Sequence, residues 1–175
     1  MGWDYFHKAP GVTVKQVIER DYPSNEVVQF AMVGSVGYGA LRRKDTPDAP
    51  TIGIVVLTAR APRDHFNFGY KLMDETMGPN ESHCPAKVLD ALSPTDSEYA
   101  TAWRERCRTN LAKPIPKNGD LILFASPVRY SSGDEVTWAY YHHEGRSKWL
   151  TVPNQRGRYR VPQLADYVFT IEARA

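Results

Sequence analysis

Long apolar runs are absent from this 175-residue chain: the longest, residues 52–57, is far short of the 18 or more residues that a membrane-spanning helix needs. The sequence reading therefore expects no membrane partner. Cysteine is scarce, with two residues in the chain, so a disulfide-stapled scaffold is excluded and the usage fits a reducing compartment. The start, with Asp4, His7 and Lys8 among short aromatic stretches, lacks the apolar core of a signal peptide, and a cytoplasmic location is expected. Charge of one sign is missing too, since 22 Lys and Arg face 20 Asp and Glu for a net +2. That sum names no partner. Repeats with periods of 20–50 residues and low-complexity stretches are also lacking. With 42% hydrophobic and 11% aromatic residues, the chain buries enough apolar surface to fold without metal or disulfide support.

Local signals then outline an α+β protein. Thr13 and Gln16 form a capping box, and Val14, Val17 and Ile18 fall at i, i+3, i+4, which predicts a helix over 14–21 stopped by Pro23. Residues 26–41 are β-branched and aromatic with Gly34, Gly37 and Gly39 between them, giving one bent strand or two short ones. Residues 42–50, with two Pro and five charges, suit an exposed loop. The unbroken apolar run at 52–57 predicts a central strand over 51–60, buried on both faces. Residues 62–94 read as a long loop, which suggests a functional segment. A short helix over 85–92 is expected next, then a helix to about Ala112, opened by a capping box at Thr95 and Glu98. Its apolar stripe is taken as Tyr99, Trp103, Cys107 and Leu111. From Ile115 onward, short strands over 120–125, 135–143, 148–152, 158–161 and 167–172 alternate with turns. The expectation is an N-terminal mixed or antiparallel sheet with about three helices over 1–113, and a β-rich meander or small barrel-like part over 114–175 packed on it.

Three groups invite a chemical reading. Residues 74–98 hold six acids and one base, with Asp74, Glu75, Glu81, His83 and Cys84 offering oxygen, nitrogen and sulfur donors. Their spacing matches no metal template, and the favoured reading is a solvated acidic turn before a helix. Cys84 near a helix start is a candidate nucleophile, with His7, His65, His83, His142 or His143 as base, although no cysteine-hydrolase signature surrounds it. The second group is basic: Arg146, Lys148, Arg156, Arg158 and Arg160, without an acid and with Trp149 and Tyr159 between them. On an extended strand the arginines share a face. They either meet the acidic segment internally, protect a sheet edge, or bind phosphates with Trp149 or Tyr159 as stacking platforms. The third group, Arg104, Arg106 and Arg108, reads as a solvated helix face. Residues 34–39 are Gly-rich but lack the Walker Lys and the dinucleotide spacing, and no cofactor is expected.

The string Asn67-Phe-Gly-Tyr-Lys-Leu-Met-Asp-Glu-Thr-Met-Gly-Pro79, followed by Cys84-Pro85 and Trp103-Arg-Glu-Arg-Cys-Arg108, resembles an uncharacterised family of small proteins encoded on phages, plasmids and other mobile elements. Met1-Gly2-Trp3 and His7 are similar to that family's start. The resemblance covers about 110 residues. It implies no activity and transfers no catalytic residue. It implies a setting in which small accessory proteins bind and block host machinery, defence systems included, or nucleic acid. The expectation is thus a non-enzymatic binding protein acting on a host protein or nucleic acid through the arginine stripe and the acidic aromatic segment. The alternative is a small hydrolase or metal-dependent enzyme built on Asp74, Glu75, Glu81, His83 and Cys84.

Overall fold

The computed structural model describes residues 4–5, 12–46, 48–60, 68–145, 147–153, 157–160, 164 and 167–172. The chain divides into two units, Met1–Leu111 and Ala112–Ala175.

In the first unit, α1 (Val14–Asp21) starts where the capping box predicts: Thr13 Oγ1 accepts from the Gln16 amide at 3.3 Å, and Gln16 Oε1 accepts from the Thr13 amide at 2.8 Å. Residues 26–41 resolve into two strands, β2 (Asn25–Val33) and β3 (Val36–Arg43), because Gly34 takes a positive φ of 59° that closes a two-residue turn. β4 (Ile52–Arg60) follows and lies in the middle of the sheet. The loop expected over 62–94 is in part a strand, β5 (Phe68–Asp74). Phe68, Tyr70 and Leu72 alternate along it and pack on the α1 side, a period-2 pattern that Gly69 and the polar neighbours obscure. With β1 (Asp4–Tyr5), the order is β1-β5-β4-β3-β2, and every pairing is antiparallel.

β4 explains its own lack of alternation. Ile54 and Val56 join Val17 and Ile18 of α1 in one cluster, while Val55 packs on the other face among Val88, Leu89, Trp103 and Cys107. Both faces are covered, as the apolar run implies. The second cluster comes from α2 (Ala86–Leu89), shorter than expected, and α3 (Glu98–Ala112). Ser97 rather than Thr95 caps α3, its Oγ accepting from the Ala100 amide at 3.3 Å; Thr95 Oγ1 accepts from the Ser97 amide instead.

The second unit is strand-rich: β6 (Leu121–Arg129), β7 (Glu135–Glu144), β8 (Ser147–Thr151), β9 (Tyr159–Arg160) and β10 (Phe169–Glu172). β6 to β9 form an antiparallel meander, and β10 adds beside β6 to give the order β10-β6-β7-β8-β9. The β6–β7 register slips between Leu123 and Val128, where Pro127 can donate no ladder bond. One face buries Ile122, Phe124, Ala139, Tyr141, Leu150, Tyr159 and Phe169. The chain is therefore α+β with a strand-rich part.

Candidate functional site

The acidic segment does not converge on a metal or a nucleophile. Asp74 ends β5 and caps the following 3-10 turn, accepting from the Thr76 amide at 2.8 Å. Glu75, next in sequence, is fully buried. Its carboxylate takes two guanidinium bonds from Arg104, Nε to Oε2 and Nη2 to Oε1, both at 2.6 Å, and a third from the Gly53 amide at 2.9 Å. Arg104 Nη1 donates to the Ser93 carbonyl at 2.6 Å. This bidentate, charge-assisted clamp ties the 3-10 turn to α3 and β4.

Arg104 thus departs from its expected place on a solvated face. The buried stripe of α3 is Ala100, Trp103, Arg104 and Cys107, at i, i+3, i+4, i+7, whereas Tyr99 and Leu111 are 68% and 47% exposed. Other α3 donors hold the backbone of residues 79–82: Arg106 Nη2 to the Pro79 carbonyl at 2.8 Å, Trp103 Nε1 to the Glu81 carbonyl at 2.8 Å, and Asn110 Nδ2 to the Ser82 carbonyl at 3.0 Å. Glu81 therefore enters through its carbonyl, and the His83 amide donates to the Tyr38 hydroxyl at 3.3 Å. Among the described residues, no three His, Cys, Asp or Glu side chains come together as a metal site.

Cys84 is wholly buried, and desolvation pushes its thiol far above the ordinary range, with the neighbouring Cys107 and Glu75 adding to the shift. The helix that follows is one turn long, and burial outweighs any gain a thiolate draws from its N-terminus. In the folded chain Cys84 is accordingly a buried thiol that favours its protonated form. Cys107 is raised by the same cause, to about 11. His7 and His65 lie outside the described residues.

The basic group of the second unit is arranged differently. Tyr159 turns inward, 8% exposed, with its hydroxyl donating to Asp134 at 3.2 Å and its ring 4.6 Å from that of Tyr130. It is a core residue and offers no stacking platform. Arg158 is exposed, and its guanidinium carbon sits 4.9 Å from the centroid of the Trp149 ring. On the flanking strand, His142 stacks on Trp149 at 5.7 Å with planes 14° apart, and its Nε2 lies 2.7 Å from Thr151 Oγ1. Arg158 makes no ion pair among the described residues. Lys148 is exposed, pairs in register with His143, and falls on the side of β8 opposite Trp149. The backbone of Arg160 pairs with Trp149; Arg146 and Arg156 lie outside the described residues.

Two further aromatics share this outer face. From Trp138 to Glu144 the β7 side chains alternate, with Ala139 and Tyr141 buried and Trp138, Tyr140 and His142 on the other side. Trp138 is 38% exposed and meets Tyr140 edge to face, centroids 6.2 Å apart and planes at 88°. In register beside them on β6 stand Leu123 and Leu121, and beyond Leu121 on β10 is the exposed Glu172. Trp138 and Tyr140 are absent from the expected platforms Trp149 and Tyr159, although the Trp-x-Tyr-x-His alternation of a half-buried strand marks them.

Residues 94–164, which carry α3 and β6 to β9, match a family described as a domain of unknown function, DUF6927. The matched stretch includes Trp103 to Arg108 and leaves out the central string at 67–79. No curated protein and no solved structure matches the chain.

Proposed function

We propose that this chain is a non-enzymatic binding protein that engages an anionic partner through the outer face of β7, β8 and β9. One observation carries the reading: Arg158 is exposed, is held over Trp149, and pairs with no carboxylate among the described residues. A guanidinium fixed against a ring has already given up much of its rotational freedom, so an incoming phosphate or carboxylate finds a donor fork in place. The resemblance to small accessory proteins of phages and plasmids supports a partner drawn from host machinery, defence systems included, or from nucleic acid. In the acidic aromatic segment, Glu75 and the carbonyls of Pro79, Glu81 and Ser82 are engaged by α3 and contribute to the fold.

A titration of the purified chain with labelled oligonucleotides, competed by heparin and repeated from low to physiological salt, tests the reading. Binding is expected to weaken linearly on a log–log salt plot, and Arg158→Ala is expected to weaken it and to lower the slope by about one. Absence of binding to every polyanion at low salt overturns the proposal.

A further inference from the structure

We propose that the anionic partner is a single-stranded nucleic acid, whose successive bases stack on Trp138 and Tyr140 while its phosphates run along the β8–β9 side past Arg158. This rests on the anionic-partner reading above and adds which chemistry the face recognises. Trp149 already carries His142 from the β7 side and Arg158 from the β9 side, and so serves to position the guanidinium. The open ring surface belongs to Trp138, with Tyr140 two residues along the same strand.

Geometry separates single strands from duplexes. Two residues along a strand span about 7 Å, roughly twice the 3.4 Å rise between stacked bases, so neighbouring bases reach both rings only when unstacked. The two planes lie at 88°, whereas bases in a duplex are parallel. A chain whose nucleotides rotate independently satisfies both conditions, and aromatic stacking accepts any base.

Charge sets the orientation across the sheet. Glu172 stands at the β10 edge and repels phosphate; Leu121 and Leu123 on β6 give an apolar floor; Arg158 marks the opposite edge. Bases therefore lie toward β6 and β7, and the backbone toward β8 and β9.

The test uses the full chain with four 12-nucleotide probes of mixed sequence: single-stranded DNA, single-stranded RNA, and the duplex of each. The expected result is tighter binding of a single strand than of the matching duplex, with tryptophan quenching at saturation; the DNA and RNA arms show which sugar is preferred. Trp138→Ala is expected to lose about tenfold in affinity with an unchanged salt slope, and Tyr140→Ala a similar factor, while Trp138→Phe keeps most of the affinity. Arg158→Ala is expected to reduce affinity and slope together. Equal or tighter binding of the duplexes, or Trp138→Ala and Tyr140→Ala both without effect, overturns this inference while leaving an anion-binding face in place. Failure of all four probes and of heparin at low salt overturns both.

Discussion

Arg104 in the first unit and Arg158 in the second follow an indole in space or in sequence, yet they do opposite things. Arg104 has lost its water: Nε, Nη1 and Nη2 are all spent, on Glu75 and the Ser93 carbonyl, inside a core cluster that contains Trp103. Arg158 is exposed, and among the described residues its guanidinium lies over a ring face and in no ion pair. A buried guanidinium must have its charge and every donor matched, because an unmatched one costs several kcal/mol. An exposed one carries no such demand and stays available. The contrast separates an arginine that holds the fold from one that can hold a partner, and composition counts the two alike.

The largest effect is expected from breaking the buried clamp. Arg104→Ala leaves the Glu75 carboxylate buried with only the Gly53 amide, and is expected to cost about 3–5 kcal/mol in denaturant unfolding. A variant that replaces both partners, Glu75→Leu with Arg104→Met, is expected to recover much of that loss, since an apolar pair needs no compensation. If the double variant is as unstable as the single, the clamp acts through more than charge.

Gly53 sharpens the same region. A Cβ there meets Trp103 Cζ3 at 3.1 Å and Glu75 Oε2 at 3.2 Å, so Gly53→Ala presses on the clamp without removing a charge. A loss of about 1–3 kcal/mol is expected, read from denaturation midpoints. An alanine at Gly53 that leaves stability unchanged shows that the clamp gives way easily and weakens the contrast with Arg158.

What the sequence made legible divides along the same line. The Thr13–Gln16 capping box, the two-faced burial of β4 and the strands of the second unit follow from neighbours in the chain, and their patterns read correctly. The Glu75–Arg104 clamp joins residues 29 apart, and nothing local announces it. The i, i+3, i+4, i+7 set of Ala100, Trp103, Arg104 and Cys107 holds the clue, since a cation inside an apolar stripe calls for a buried acid. The chosen stripe of Tyr99, Trp103, Cys107 and Leu111 steps by four, drifts around the helix, and so carried Tyr99 and Leu111 into solvent. β5 was hidden by Gly69 and polar neighbours that imitate a loop. On the candidate face, alternation places Tyr159 opposite the arginines, and that opposite side of β9 is the core, so its ring offers no platform.

The core cysteines give a pH signature of the first unit. Their thiols are raised on folding, chiefly by desolvation, so the folded state favours the protonated form. The stabilising contribution is fully present below the unfolded value of about 8.5 and is lost as pH rises, for Cys107 through about 11. Within that window each thiol is expected to lower stability by about 1.4 kcal/mol per pH unit, and Cys107→Ala is expected to flatten the slope. A disulfide-exchange reagent at pH 8 is expected to leave both thiols unmodified until the protein unfolds. Rapid labelling of Cys84 in the folded protein contradicts its burial.

The smallest effect on stability is expected at Arg158, and that smallness is the sharpest form of the comparison. Arg158→Ala removes an exposed guanidinium from the Trp149 ring, a contact worth about 0.5–1 kcal/mol, and strands no buried partner. Denaturation midpoints are expected to move little, with the Trp149 emission changed because its ring loses a covering cation. Arg158→Lys keeps the charge but loses the planar stack, so stability again stays near that of the parent chain while anion binding weakens. An Arg158→Ala protein destabilised as severely as Arg104→Ala means that Arg158 is a structural cation like Arg104, and the face then loses its reason to be read as a binding surface. Near-normal stability with weakened, less salt-sensitive polyanion binding places the two arginines in separate roles.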